Sequence, residues 1–220
     1  MNQSSPLDNQ TTAPQQHRRP SIWPALLTFL LIGAIYLVVP EQLPIGPSWL
    51  LLAVIVAFLI PATIMRWQGK LHITRGLGFV ILAIVTACVA ASAGFLMFHL
   101  TSGTVGAPTL LRDAALIWLA NILTFSIWYW EIDDGGPARR HRDGYHRTDF
   151  VFPQLTFEHS PHRWYPHFVD YLFLAFNTST AFSPTDTMVL SRRAKLLMMT
   201  QALISLVALV VLAARAINML

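Results

Sequence analysis

Five stretches of predominantly apolar residues, 22–39, 49–65, 77–100, 110–130 and 196–218, are separated by short segments that hold nearly all of the charged side chains. A helix needs about 20 apolar residues to cross the roughly 30 Å hydrocarbon layer of a bilayer, so each stretch is read as a transmembrane helix. A sixth stretch, 168–182, has the same apolar character. At about 15 residues and about 1.5 Å per residue it reaches only about two-thirds of the way across. Trp23-Pro24 opens the first helix and Pro40 closes it, Ser48 is placed as N-cap of the second, and Pro61 is expected to kink it. The predicted fold is all-α: a polytopic transmembrane helical bundle of five full-length helices plus one short helix, either pore-helix-like or re-entrant.

The polar segments set the organisation. Residues 1–20 are rich in Gln, Asn, Ser, Thr and Pro and are expected to form a disordered arm. Then come a four-helix transmembrane region (21–130), an Asp/Arg/His-rich loop on the cytoplasmic side or at the interface (131–167), and a short helix, turn and final transmembrane helix (168–220). Lysine and arginine in short loops stay on the cytoplasmic side. Arg18 and Arg19 precede the first helix, Arg66, Lys70 and Arg75 join the second to the third, and Arg139, Arg140, Arg142, Arg147 and Arg163 follow the fourth. The segment 40–47 carries none, and the third-to-fourth connection only Arg112. The N-terminus and the 131–167 loop are therefore expected in the cytoplasm, with the chain in the plasma membrane. Val38-Val-Pro-Glu41 offers no small-x-small cleavage site, so the first helix is expected to stay.

Composition sharpens this picture. With 54% hydrophobic and 12% charged residues, the 220-residue chain lies far from the roughly 25% charged content of soluble domains. Its formal charge of +4 does not imply nucleic acid, because the basic residues sit in short clusters between apolar runs. The lipid bilayer is the expected partner. Cys88, the one cysteine, lies inside an apolar run and behaves as a small hydrophobe. No Gly-x-Ser-x-Gly, phosphate-binding Gly-rich loop or Cys-x-x-Cys occurs, so neither an enzyme nor a cofactor is expected.

Candidate chemistry is sparse. Ala83, Ala87 and Ala91, and Ala90 with Gly94, recur every four residues, a spacing that suits close packing against another helix of the same subunit. Trp128, Tyr129 and Trp130 are expected at the headgroup level, with Gly135-Gly136-Pro137 ending the helix. Beyond them Glu131, Asp133 and Asp134 cluster where a hard cation could collect, without the alternation of an EF-hand loop. His141, His146, His159 and His162, with Asp133 and Asp134, form a weak candidate metal set, because imidazole and carboxylate suit zinc or iron. The aromatic run 150–154 and Trp164-Tyr165 are expected to lie along the membrane surface. Inside the apolar runs, Asn121 is expected to bond a neighbouring helix, and Gln201 and Ser205 share a face. Asp170, in the first turn of the short helix, complements the helix dipole.

From Tyr171 to Asn218 the order of short helix, polar turn and long helix resembles the potassium-channel pore module. A channel filter reads Thr-Val-Gly-Tyr-Gly-Asp; the corresponding positions here are Ala181-Phe-Ser-Pro-Thr-Asp186, which keep only the aspartate. The glycines suited to carbonyl coordination are absent, and Pro184 fixes its own φ, so a potassium-selective filter is not expected. The same stretch is similar to the carboxyl end of the DUF1345 type of uncharacterised bacterial multi-pass membrane proteins, through Thr180-Ala-Phe182, Thr185-Asp186 and Ser191-Arg-Arg193. These resemblances imply a bacterial inner-membrane protein and two functions. The first is conduction or sensing of a monovalent cation by a homo-oligomer, with Asn177, Thr178, Ser179, Thr180, Ser183, Thr185, Asp186 and Gln201 along the ion path. The second is a non-conducting scaffold that keeps the pore-type turn as a structural unit, with Thr180, Thr185 and Asp186 capping helices.

Overall fold

The computed structural model describes residues 23–38, 47–102, 105–146, 149–156, 164–180 and 186–217. Their order is α1 (Trp23–Val38), α2 (Trp49–Trp67), α3 (Leu71–Ser102), α4 (Ala107–Ile132), α5 (Pro137–Asp143), β1 (Phe150–Val151), α6 (Phe168–Thr180), β2 (Met188–Val189) and α7 (Arg192–Ile217). The fold is all-α apart from one two-residue antiparallel pairing, Phe150 opposite Val189 and Val151 opposite Met188. Four helices are long and apolar enough to cross a membrane: Trp49–Trp67, His72–Ser102, Ala107–Gly135 and Arg192–Ile217. α1 has 16 described residues, all within the expected span 22–39, whose two end residues lie outside the described ones.

The centre of the bundle is α4, which packs against α1, α3, α6 and α7, while α2 lies outside against α1 and α3. The sequence of α4 explains that position. Asn121, Thr124 and Ser126 lie near its middle among Ile117, Ala120, Phe125 and Ile127, and all of these are buried. Such a helix is poorly matched to lipid on every face and is covered by protein instead. Thr124 and Ser126 return their hydroxyls to the carbonyls of Ala120 and Leu123 at 2.7 Å each, so neither demands an outside partner.

At the end of α4 the backbone reverses through Asp134 (φ 46°), Gly135 (φ 72°) and Gly136 (φ 90°, ψ 170°), and Pro137 starts α5. The Gly136 conformation is close to forbidden for any residue with a Cβ, and a Cβ there would also meet the Glu131 carbonyl oxygen at 3.2 Å. Gly144 has nearly the same backbone (φ 85°, ψ 170°) with open space around it. Gly136→Ala is expected to destabilise the protein by about 1–3 kcal/mol and by more than Gly144→Ala, measured as the unfolding midpoint in mixed micelles.

α6 and α7 start at the same end of the bundle and run in the same direction, against α4. Tyr171 near the start of α6 bonds Asp133, and Arg193 at the start of α7 bonds the Ile132 carbonyl, both at the end of α4. Further along, Gln201 of α7 meets Ala175 and Ser179 of α6, and Asn121 in mid α4. α6 is capped by its own first turn: the His167 amide donates to Asp170 Oδ2 at 2.7 Å, and the Asp170 amide to the His167 carbonyl at 3.0 Å. Asp170 is thereby a capping carboxylate.

Several expectations are corrected by this packing. The small residues of α3 do not face a helix of the same subunit: Ala83, Ala87, Ala90, Ala91 and Gly94 are exposed, and the buried face is Ile81, Leu82, Val85, Val89, Ser92, Ala93 and Leu96. The β-branched and leucine side chains fill the space beside α4 better than alanine can, and so they take the inner face. Tyr129 and Trp130 are buried against protein instead of facing outward, because α6 and the 150–152 segment cover the end of α4. Phe150 and Phe152 are likewise buried against Tyr129 and Tyr171, so this run plugs the bundle end instead of lying on a surface. Ser48 stands at the start of α2 in a helical conformation with no side-chain cap bond, and α2 continues through Pro61.

Candidate functional site

Two buried polar layers, both built on α4, contain the unusual chemistry of this chain. The first lies within the bundle. Gln201 is fully buried; its Nε2 donates to the Ala175 carbonyl and to Ser179 Oγ, each at 2.7 Å, and its Oε1 accepts from the Tyr129 hydroxyl. Asn121 Nδ2 donates to the Gln201 carbonyl at 3.1 Å and to Ser205 Oγ at 2.7 Å. One amide on α7 thus ties α4 to α6, and one amide on α4 ties back to α7. Apolar contact gives little drive for association where lipid tails are equally apolar, so such bonds select which faces meet.

The second layer closes the end where α4 finishes and α6 and α7 begin. Asp133 is fully buried. Its Oδ2 accepts from Tyr171 Oη at 2.5 Å and from Tyr145 Oη at 3.1 Å, and its Oδ1 faces the Phe150 amide at 3.4 Å. The guanidinium of Arg140, itself buried, donates to the Trp130 and Asp133 carbonyls and stacks on the Tyr171 ring at 5.3 Å. Burial, with the Asp133 carboxylate beside it, raises the Tyr145 phenol well above its ordinary range, and burial does the same for Tyr171. Both phenols remain protonated donors at neutral pH.

Asp149, also fully buried, receives a two-pronged contact from Arg193, Nε to Oδ1 at 2.7 Å and Nη2 to Oδ2 at 2.5 Å, and a bond from Ser191 Oγ at 2.5 Å. Ser191 Oγ in turn accepts the Ala194 amide at 3.2 Å and so caps α7. Asp134 accepts the His146 amide at 2.8 Å, with His146 Nδ1 at 3.5 Å. Arg75 donates to the Glu131 carbonyl at 3.0 Å and lies over the Phe79 ring. The carboxylates are turned inward and matched by arginines and phenols, the arrangement that makes buried charge tolerable. Chemically this is a clasp: it holds five chain segments together.

The expected ion-path residues are divided. Ser179 and Gln201 are buried in the first layer. Thr178 and Thr180 return their hydroxyls to carbonyls of α6, Leu174 for the first and Phe176 and Asn177 for the second. Asn177 is half-buried and Asp186 exposed, while Ser183 and Thr185 lie outside the described residues. The cap of α7 is Ser191, not Asp186. Of the candidate metal ligands, Asp133 is occupied by phenols, Asp134 faces His146, His141 is exposed, and His159 and His162 lie outside the described residues. Among the described residues no group of three His, Cys, Asp or Glu is placed to hold a metal ion.

Of the clasp partners, Arg140, Tyr171 and Arg193 drew attention in the sequence only for other reasons, as a topology signal and as parts of the pore-like module, and none was expected to pair with Asp133 or Asp149. The sequence shows five carboxylates and four arginines in 131–149 and two more arginines in 191–195, which says nothing about who pairs with whom.

No protein family, curated protein or solved structure matches this chain. The likenesses to a channel pore module and to the DUF1345 type find no support there.

Proposed function

We propose that this chain is an integral membrane scaffold in which the short helix α6 is a structural wedge entering the bilayer from the cytoplasmic side and returning to it, and in which no ion path runs through a single chain. The observation that carries this reading is Gln201: its side-chain amide and Ser179, the groups a pore would present to ions, are fully buried and bonded to each other and to Ala175 and Tyr129. The wedge geometry is supported by the common starting end of α6 and α7, and it puts Arg192, Arg193 and Lys195 on the same side as Arg66, Lys70, Arg75 and Arg140, in keeping with basic residues staying in the cytoplasm. The membrane setting is supported by α2. Trp49 and Trp67 stand exposed at its two ends, 18 residues or about 27 Å apart, the spacing of the two aromatic belts of a bilayer.

A second reading, a cation pathway along the axis of a homo-oligomer, is favoured by the exposure of Asp186 and the half-exposed Asn177. Cation flux into liposomes holding the purified protein separates the two, with oligomeric state determined on the same sample. The scaffold reading expects no flux above that of protein-free liposomes. Flux from an oligomer that falls with Asp186→Ala would replace it with the pore.

A further inference from the structure

The outward face of α7 joins two kinds of surface that one ligand class unites. Arg192 and Lys195, in its first turn, are exposed and make no ion pair among the described residues, unlike Arg193 between them, which is bonded to Asp149. Below them on the same face, at helical spacings of three and four, Leu196, Met199, Leu203 and Leu206 are all more than half exposed. This apolar strip covers ten residues, or about 15 Å, half the hydrocarbon layer. Among the described residues nothing covers it.

The charge of this end is set by tertiary structure. Asp133, Asp134 and Asp149 are fully buried, whereas Asp186 is exposed, so three carboxylates of this end are withdrawn from the surface while Arg192 and Lys195 remain on it. Two unpaired cations above an acyl-length apolar strip match a molecule with an anionic head and a hydrocarbon tail. We propose that this face of α7 is a binding site for an anionic phospholipid of the adjoining leaflet, Arg192 and Lys195 taking the headgroup phosphate and Leu196, Met199, Leu203 and Leu206 an acyl chain. A free phosphate or a nucleic acid would use the cations but not the strip. The proposal rests on the reading of α7 as membrane-embedded, and is independent of whether the protein conducts.

The test is native mass spectrometry of the full chain in neutral detergent, titrated with phosphatidylglycerol or phosphatidylcholine and, separately, with inorganic phosphate. Phosphatidylglycerol is expected to be retained over phosphatidylcholine. Arg192→Gln with Lys195→Gln is expected to weaken it roughly 30-fold, the effect of two basic residues near an anionic surface. Arg192→Lys with Lys195→Arg should restore it, which removes misfolding as an explanation, and Leu203→Ser should weaken it with the cations intact. Equal retention of the two lipids, an unchanged double Gln variant, or full displacement by millimolar phosphate would each overturn the site. Retention of neither lipid, by a protein that stays dispersed without detergent, would overturn the membrane reading as well.

Discussion

Asp133→Ala is expected to lower the stability of the folded protein by about 3–5 kcal/mol, the cost of leaving a buried charge without its partner. Arg140 is only 5% exposed and would keep its bonds to the carbonyls of residues 130 and 133 but lose the carboxylate charge beside it, while the Tyr171 and Tyr145 hydroxyls would each lose an acceptor, Tyr145 keeping the Phe150 carbonyl. Unfolding in mixed micelles reads the loss. Trypsin provides an independent view, because Arg139, Arg140 and Arg142 follow Asp133 on a seven-residue helix that the clasp holds down. Cleavage there should accelerate in the variant. Two milder changes grade the effect. Asp133→Asn keeps an acceptor for the phenols and loses only the charge; Tyr171→Phe removes one hydrogen bond and should cost about 1–2 kcal/mol. An Asp133→Ala protein within about 0.5 kcal/mol of the native one would mean that the end of the bundle is held by the aromatic packing of Phe150, Phe152 and Tyr171, and that the carboxylate is incidental.

The second large effect is expected from Gln201→Leu, about 2–4 kcal/mol. Leucine nearly fills the volume but takes one hydrogen-bond partner from each of Tyr129 Oη, Ser179 Oγ and the Ala175 carbonyl, while Tyr129 keeps its contact with Thr178. The Asn121 bond to the Gln201 carbonyl survives, since it uses backbone. Interhelical hydrogen bonds within membranes average about 0.6 kcal/mol and reach about 1.7, so the sum comes chiefly from stranding several polar groups at once. A double-mutant cycle with Tyr129→Phe isolates one pair, and a coupling below about 0.3 kcal/mol would show that the hydroxyl does not depend on this amide. Loss of the Gln201 tie should loosen α6 selectively, so hydrogen exchange at 171–180 should rise more than at 117–127.

These expectations separate what each level of description could give. The helices were legible because their signal is length and apolarity. The stretches 49–65, 77–100, 110–130 and 196–218 fall inside α2, α3 and α4 and across α7 with ends displaced by a few residues, the extra turns being amphipathic ones that a hydropathy window trims. The short helix was legible too: the stretch 168–182 coincides with α6 over its described residues, Phe168–Thr180. So was the shared face of Gln201 and Ser205, four residues apart, which Asn121 Nδ2 meets through the Gln201 carbonyl and Ser205 Oγ.

What the sequence by itself determined is an all-α chain with a short helix beside longer apolar ones, five of them read as full-length where the structure has four long and apolar enough to cross a membrane, and basic residues gathered between particular helices. Tertiary structure alone decided which faces look inward. Alanines at intervals of four on α3 fit a packed face and a lipid-covered face equally well, and it was the larger side chains of the other face that took the place beside α4. Tyr129 and Phe150 have the same character whether they sit in a headgroup layer or plug a bundle end. Asp149 and Arg193 are 44 residues apart, and no local pattern couples them. Hydropathy is a property of single residues summed along the chain, whereas a buried ion pair or amide tie is a property of two distant positions whose juxtaposition costs nothing until the helices are assembled. That is why the helices could be read from order and the two polar layers could not.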